Sequence, residues 1–268
     1  MKYTYGFLGT GNMGSALAEA VVKKVPSDRI IVTNRTAVKA ETLSRKLKTF
    51  TGTNDEAARE SSALVLGVKP QMLESVLTPL QGALAENGRP VLVTMAAGVP
   101  MSRICELAGG EYPVIRIMPN TPVAAGAGVI LAAHNDLVSG DEFEQFLSDF
   151  SEAGLLVPMN EEQIDAASVI SGCGPAYYYM FMDAMAKAGE QLGLSYETAA
   201  TLAEATARGS AILAEGSSAS LEDLRIAVCS PGGSTIEGVR SFQKDDLDEC
   251  VRRALKAAYD RTLELANS

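Results

Sequence analysis

Two hydrophobic rhythms divide this chain. Up to about residue 158, short apolar or β-branched runs alternate with segments patterned for helices; from Glu161 onward only the helical period persists. In the first part, Gly6-Phe7-Leu8 predicts the end of a buried strand, Ser15 to Lys24 a helix, and Arg29 to Thr33 a second strand. Lys39 to Leu47 follows as a helix, Thr49 to Thr51 as a short strand, and Asn54 as the N-cap of another helix. Ala63 to Val68 is a continuous apolar run, the signature of a central parallel strand covered on both faces. Met72 to Leu84 supplies a crossover helix, and Pro90 to Thr94, Pro113 to Ile117, Val129 to Ala132 and Gly154 to Val157 supply further strands, with a helix over 140–151. Such alternation predicts an α/β domain with a mostly parallel sheet wound on both sides.

The second rhythm is helical throughout. Asp183, Lys187, Glu190 and Gln191 form one narrow polar stripe on a helix beginning near Tyr177, leaving the rest of its circumference apolar. Ala199 to Ala214, rich in Ala, Ser and Gly, offers close-packing surfaces, Ser220 with Asp223 forms a weak capping box, and Ile236 to Phe242 continues as helix. The final helix, from about Asp246, places Leu247, Val251, Ala254, Ala258 and Leu265 on one face. About a hundred residues of this kind cannot bury so much apolar surface alone, so burial against a second subunit is expected. The expected organisation is a dinucleotide-binding domain over 1–159 and an all-α dimerisation and substrate domain over 160–268.

Composition narrows the classes. Of 268 residues, 47% are apolar, and the net charge of −10 argues against a nucleic-acid or anionic-membrane surface as a global property. No apolar run approaches a membrane span, and the chain opens directly on strand and glycine turn, from which a cytoplasmic protein is expected. Cys105, Cys173, Cys229 and Cys250 are too widely spaced for a zinc motif and read as reduced thiols. His134 is the only histidine, which removes histidine triads and multi-histidine metal sites; it reads as a surface loop residue.

The candidate chemistry begins at the first turn. Gly9, Gly11 and Gly14 have the G-x-G-x-x-G spacing between a strand and a helix, so Gly9, Thr10, Gly11, Asn12, Met13 and Gly14 form a candidate diphosphate cradle of the Rossmann type. The position about twenty residues further on, where an NAD-specific fold carries a carboxylate, is Asn34, followed by Arg35. A guanidinium favours a 2′-phosphate, so NADPH is the expected coenzyme, with NADH possible. Lys69 and Ala96-Ala97-Gly98 fall at the carboxyl ends of later strands, where ligands bind. Met118 and Asn120 lie in a stiff Met-Pro-Asn-Thr-Pro loop suited to lining a nicotinamide and substrate pocket. In the helical half, Ser230-Pro231-Gly232-Gly233-Ser234-Thr235 brings two hydroxyls to a helix start, a candidate carboxylate pocket or an ordinary helix cap.

Taken together, G-T-G-N-M-G, V-K-P at Val68 to Pro70, M-A-A-G at Met95 to Gly98, R-I-M-P-N-T-P at Arg116 to Pro122, S-G-C-G-P-A-Y at Ser171 to Tyr177 and S-P-G-G-S-T at Ser230 to Thr235 closely resemble pyrroline-5-carboxylate reductase. The resemblance implies reduction of a cyclic imine by NAD(P)H and a helical domain interlocked with that of a partner subunit. It implies that Asn34 and Arg35 meet the 2′-phosphate side, and that Asn54, Val68, Lys69, Pro70, Ala96 and Ala97 line the coenzyme. Gly233, Ser234 and Thr235 would meet the substrate, Thr235 as the catalytic hydroxyl, with Glu161 matching an acidic residue nearby. Cys229, Cys173 and Ala227 depart from the usual family residues. Two rivals remain. A β-hydroxyacid dehydrogenase would need a lysine early in the first long helix of the C-terminal domain, yet none follows Gly174 before Lys187. A non-enzymatic NADP-binding sensor would leave the Ser230 to Thr235 segment without a purpose.

Overall fold

The structure, a computed structural model, describes residues 2–266 and the side chains as far as Glu264. The side chain of Leu265, counted above on the last helix, lies outside these. The chain forms two compact units, one holding the described residues up to Cys173 and from Tyr259 on, the other Gly174–Ala258.

The first unit is built on one eight-stranded sheet: β1 (Tyr3–Leu8), β2 (Ile30–Thr33), β3 (Phe50–Thr51), β4 (Ser61–Leu66), β5 (Val91–Thr94), β6 (Val114–Pro119), β7 (Gly128–His134) and β8 (Gly154–Pro158). Their spatial order is β3-β2-β1-β4-β5-β6-β7-β8. All neighbours run parallel except β6 and β7, which pair antiparallel. The reversal follows from the linker: residues 120–127 form one helical turn closed by Gly126 at φ 69°, too short for the crossover a parallel pair needs. His134 ends β7 rather than lying in a loop, and it is exposed, with its ring against Phe143.

The sheet is wound on both sides. Tyr5, Phe7, Val32, Val65 and Val93 project into one core with helices α1 (Asn12–Val21) and α2 (Ala37–Leu47). Leu8, Ile31, Leu64, Leu66 and Leu92 project into the other, with α3 (Asn54–Glu60), α4 (Leu73–Leu77), α5 (Gln81–Asn87) and α6 (Met101–Ala108). Period-two alternation with both faces buried explains why these strands read as unbroken apolar runs. The crossover expected over 72–84 is two short helices separated by a tight turn at Thr78–Leu80, because Pro79 cannot donate within a continuous helix. Thr53, not Asn54, caps α3, its side chain accepting from the Glu56 N–H. α6 lacks a run long enough to stand out in the sequence, and it is held from outside, as described below. α7 (Gly140–Asp149) opens with a capping box from Ser139 and Glu142.

Beneath α7, the Tyr5 hydroxyl donates to Asp149 Oδ2 at 2.8 Å, and Gln145 donates to the other carboxylate oxygen. Burial, then the Asp149 charge and this hydrogen bond, push the Tyr5 phenol far above its ordinary value. In the unfolded chain that phenol ionises near about pH 10, while the folded one stays neutral. The stabilisation is therefore complete below that pH and declines above it, by up to about 1.4 kcal/mol per pH unit. Tyr5→Phe should lower stability near neutrality by roughly 1.5–3 kcal/mol and flatten the alkaline limb. Urea unfolding at pH 7 and pH 11 measures both; an unchanged limb would mean that Tyr5 ionises in the folded state.

α8 (Glu161–Ser171) packs against β6 and β7, and so belongs to the first compact unit. The second unit carries α9 (Gly174–Gln191), α10 (Tyr196–Glu215), α11 (Leu221–Ala227), α12 (Ser234–Lys244) and the start of α13 (Leu247–Ala266). α9 and α10 approach closely: a Cβ on Gly189 would meet that of Ala199 at 2.6 Å. Among the described residues of this unit, the buried apolar side chains are only Ala186, Ala199 and Ala203. Tyr178, Tyr179, Met180, Phe181, Leu202, Ile212, Leu213 and Val251 are all exposed on the single chain. A helical unit with three alanines for a core does not account for its own stability.

Candidate coenzyme and substrate sites

The carboxyl ends of β1, β2 and β4 meet where the strand order reverses, between β1 and β4. There the backbones of two turns touch. Gly9 has φ 106°, and a Cβ on it would lie 2.5 Å from the Gly67 carbonyl oxygen, so both backbone freedom and close approach require glycine. Gly14 lies against the Gly9 carbonyl, while a Cβ on Gly11 would meet no protein atom within 4 Å. The middle glycine thus faces open space at the start of α1, as a diphosphate cradle requires. Thr10 Oγ1 is buried without a hydrogen-bond partner among the described residues, an orphan that a ligand oxygen would satisfy.

Gly9, Gly11, Asn34, Arg35, Asn54, Val68 and Lys69 line one cavity of about 760 Å³. Asn54 Oδ1 accepts from Thr33 Oγ1 at 2.5 Å, which ties the start of α3 to the end of β2. Thr10, Asn12, Met13 and Gly14 belong to the adjoining turn and helix start, and Pro70 follows Lys69 directly. Ala96 is buried and Ala97 exposed at the end of β5; neither lines this cavity. Sequence reasoning missed Lys39, on the first turn of α2, and the apolar wall of Met72, Val76 and Pro79. The available signal was a second cation four residues beyond Arg35.

Near β6 a second cluster forms. Arg116, with its side chain 4% exposed, donates through Nη2 to Asp165 Oδ1 at 2.6 Å and through Nη1 to Glu161 Oε1 at 3.4 Å. Glu161 Oε1 also accepts from the Met101 backbone N–H at 2.8 Å, satisfying an unpaired donor at the start of α6 and placing negative charge there. The Asn120 side chain is committed at both ends, donating to the Ser171 carbonyl at 2.9 Å and accepting from the Val129 N–H at 2.8 Å. Met118 is half-buried and packs against the core. Arg116, Glu161, Asp165 and Asn120 together pin α8 to β6 at both of its ends.

In the second unit, Gly232 adopts φ 73° and Gly233 is the N-cap of α12. No side chain caps this helix, so Ser234 and Thr235 do not act as caps; both are exposed. Two hydroxyls and first-turn N–H groups are therefore free for an anionic ligand. Among the described residues no cluster of His, Cys, Asp and Glu could hold a metal ion, and no helix is long and apolar enough to cross a membrane. Cys105, Cys173, Cys229 and Cys250 are free thiols.

A glycine cradle at the switch point of a parallel sheet, with a helical unit lacking a core of its own, defines a dinucleotide-binding α/β protein that associates through its helices. Residues 4–98 match the family described as NADP oxidoreductase coenzyme F420-dependent, and residues 161–265 match pyrroline-5-carboxylate reductase dimerisation. Pyrroline-5-carboxylate reductase of Pseudomonas aeruginosa is 36% identical over 263 residues, covering 97% of this chain and 96% of the relative. The solved pyrroline-5-carboxylate reductase of Coxiella burnetii superposes with a TM-score of 0.92 at 33% identity, covering 99% of both chains. That of Plasmodium falciparum, with NADP bound, gives 0.87 at 29% identity, again over 99% of both. The chain belongs to the pyrroline-5-carboxylate reductase family.

Proposed function

We propose that this protein reduces L-1-pyrroline-5-carboxylate to L-proline, the last step of proline biosynthesis, as an NADPH-preferring cytoplasmic homodimer that can also use NADH. The observation that carries this reading is similarity over almost the whole chain to pyrroline-5-carboxylate reductases, including the segment that holds Ser234 and Thr235. The coenzyme fits the residues present: glycine cradle, orphaned Thr10 hydroxyl and cation-lined cavity lie together at the ends of β1, β2 and β4. When bound, it supplies the hydride. Gly9 to Gly14 would hold the diphosphate, Asn34 and Arg35 the adenosine side, and Asn54, Val68 and Lys69 the cavity wall, with Pro70, Ala96 and Ala97 in the adjoining segments after β4 and β5.

On the substrate side, N–H groups around Gly233 to Thr235 hold the carboxylate, and the Thr235 hydroxyl bonds the imine nitrogen. Within the first unit, Met118 packs against the core at the end of β6, and Asn120 and Glu161 act through the backbone segments they hold. A protonated imine is already electrophilic, so alignment and charge placement suffice and no strong base is required. Loss of NADPH absorbance on adding pyrroline-5-carboxylate tests the activity; no oxidation of the coenzyme with this substrate would reject it.

Self-association is expected because, among the described residues, the helical unit has only Ala186, Ala199 and Ala203 as buried apolar side chains. The folded protein should sediment as a dimer or larger at micromolar concentration, and its thermal midpoint should rise with protein concentration. A stable, active monomer at nanomolar concentration would contradict this.

A further inference from the structure

We propose that Lys39 is a specificity residue, forming with Arg35 a two-cation clamp for the 2′-phosphate of NADPH; this rests on the coenzyme reading above. Both side chains are exposed and line the same cavity at the end of β2, beside Asn34 and Thr36. The local geometry sends Lys39 toward this end of the sheet: its neighbour Ala40 is buried in the core and Val38 is 63% exposed without lining the cavity. The Asn34 side chain donates to the Thr36 carbonyl at 3.4 Å, across the backbone of Arg35.

Charge accounting explains why one cation is not enough. A phosphate monoester carries about −1.5 to −2 near pH 7, so Arg35 alone leaves about half to one negative charge uncompensated. The chain itself has a net charge of −10, which makes any uncompensated anion costlier to hold. Asp55, the carboxylate on the cavity wall, is taken up by Arg59 at 2.7 Å, whereas neither Arg35 nor Lys39 has an ion-pair partner among the described residues. Lys69 is the third cation of the cavity, but it follows β4, on the far side of β1 from β2. The 2′-position is read at the end of β2, in a Rossmann-type sheet, which assigns it to Arg35 and Lys39.

The test is calorimetric binding of adenosine 2′,5′-bisphosphate and adenosine 5′-monophosphate to the intact protein. Exposed positions make Lys39→Ala, Lys39→Arg and Arg35→Ala compatible with folding. Wild type should favour the bisphosphate by at least about tenfold, and Lys39→Ala should weaken that ligand about tenfold while moving the monophosphate less than twofold. Lys39→Arg should restore bisphosphate binding, and raising the salt concentration should erode it more steeply in wild type than in Lys39→Ala. Lys39→Ala binding the bisphosphate as wild type does, or losing both nucleotides equally, would overturn the assignment of Lys39. If wild type failed to distinguish the two nucleotides, the NADPH reading would fall together with it, and Arg35→Ala separates the cases: loss of discrimination there alone condemns only Lys39.

Discussion

Thr235→Ala is expected to lower kcat/KM for pyrroline-5-carboxylate roughly 30- to 150-fold and to leave the affinity for NADPH unchanged. The substitution removes the hydroxyl and keeps every backbone donor around Gly233 to Thr235, so the substrate carboxylate is still held. Lost are orientation and charge stabilisation at the imine nitrogen, about 2–3 kcal/mol at the transition state. Because Gly233 is the N-cap and no side chain caps α12, the hydroxyl has no cap bond for its removal to break. A stability difference between variant and wild type should accordingly be small. Steady-state kinetics retaining wild-type kcat and kcat/KM would remove Thr235 from the chemistry.

The largest effect on stability is expected at Arg116. Arg116→Met keeps most of the volume and deletes the charge, leaving Asp165 and Glu161 facing a buried site that their partner has vacated. Breaking a buried pair from one side costs about 3–5 kcal/mol. The carboxylates are 20% and 28% exposed, so water relieves part of this and the lower end, about 3 kcal/mol, is expected. For a folded unit of this size that lowers Tm by roughly 6–12 °C. Asp165→Asn, which can still accept from Arg116, should cost less. A thermal scan in which Arg116→Met melts with wild type would show that the cluster contributes nothing net.

How much of this was legible in the sequence depends on the range over which each feature is determined. The parallel strands were legible because period-two burial on both faces leaves unbroken apolar runs such as Ala63 to Leu66. The glycine turn was legible because the positive φ of Gly9 and the contact of Gly14 with the Gly9 carbonyl are local demands; the approach of Gly9 to the Gly67 carbonyl, which also requires glycine, was not. α6 was not legible: it spans only Met101–Ala108, and the Glu161 carboxylate that satisfies its first N–H stands 60 residues away. The role of Arg116 stayed hidden for the same reason, since an arginine inside P-V-I-R-I shows no sign of carboxylates that arrive on α8. Thr53 rather than Asn54 caps α3 because Asn54 is drawn to Thr33, a contact between elements that local propensity does not contain. The apolar circumference of α9 was legible as a surface needing cover. On the single chain it is still uncovered: Tyr178, Tyr179, Met180 and Phe181 all face outward.

The central claim is that this chain directs hydride from a nicotinamide coenzyme to the imine carbon of pyrroline-5-carboxylate. Incubating the purified protein with that substrate and NADPH deuterated at the transferable position of nicotinamide C4, then analysing the product by mass spectrometry and NMR, tests it most directly. The account predicts L-proline carrying one deuterium on the ring carbon that was the imine carbon. Proline without deuterium, or deuterium left entirely on the coenzyme, would contradict it.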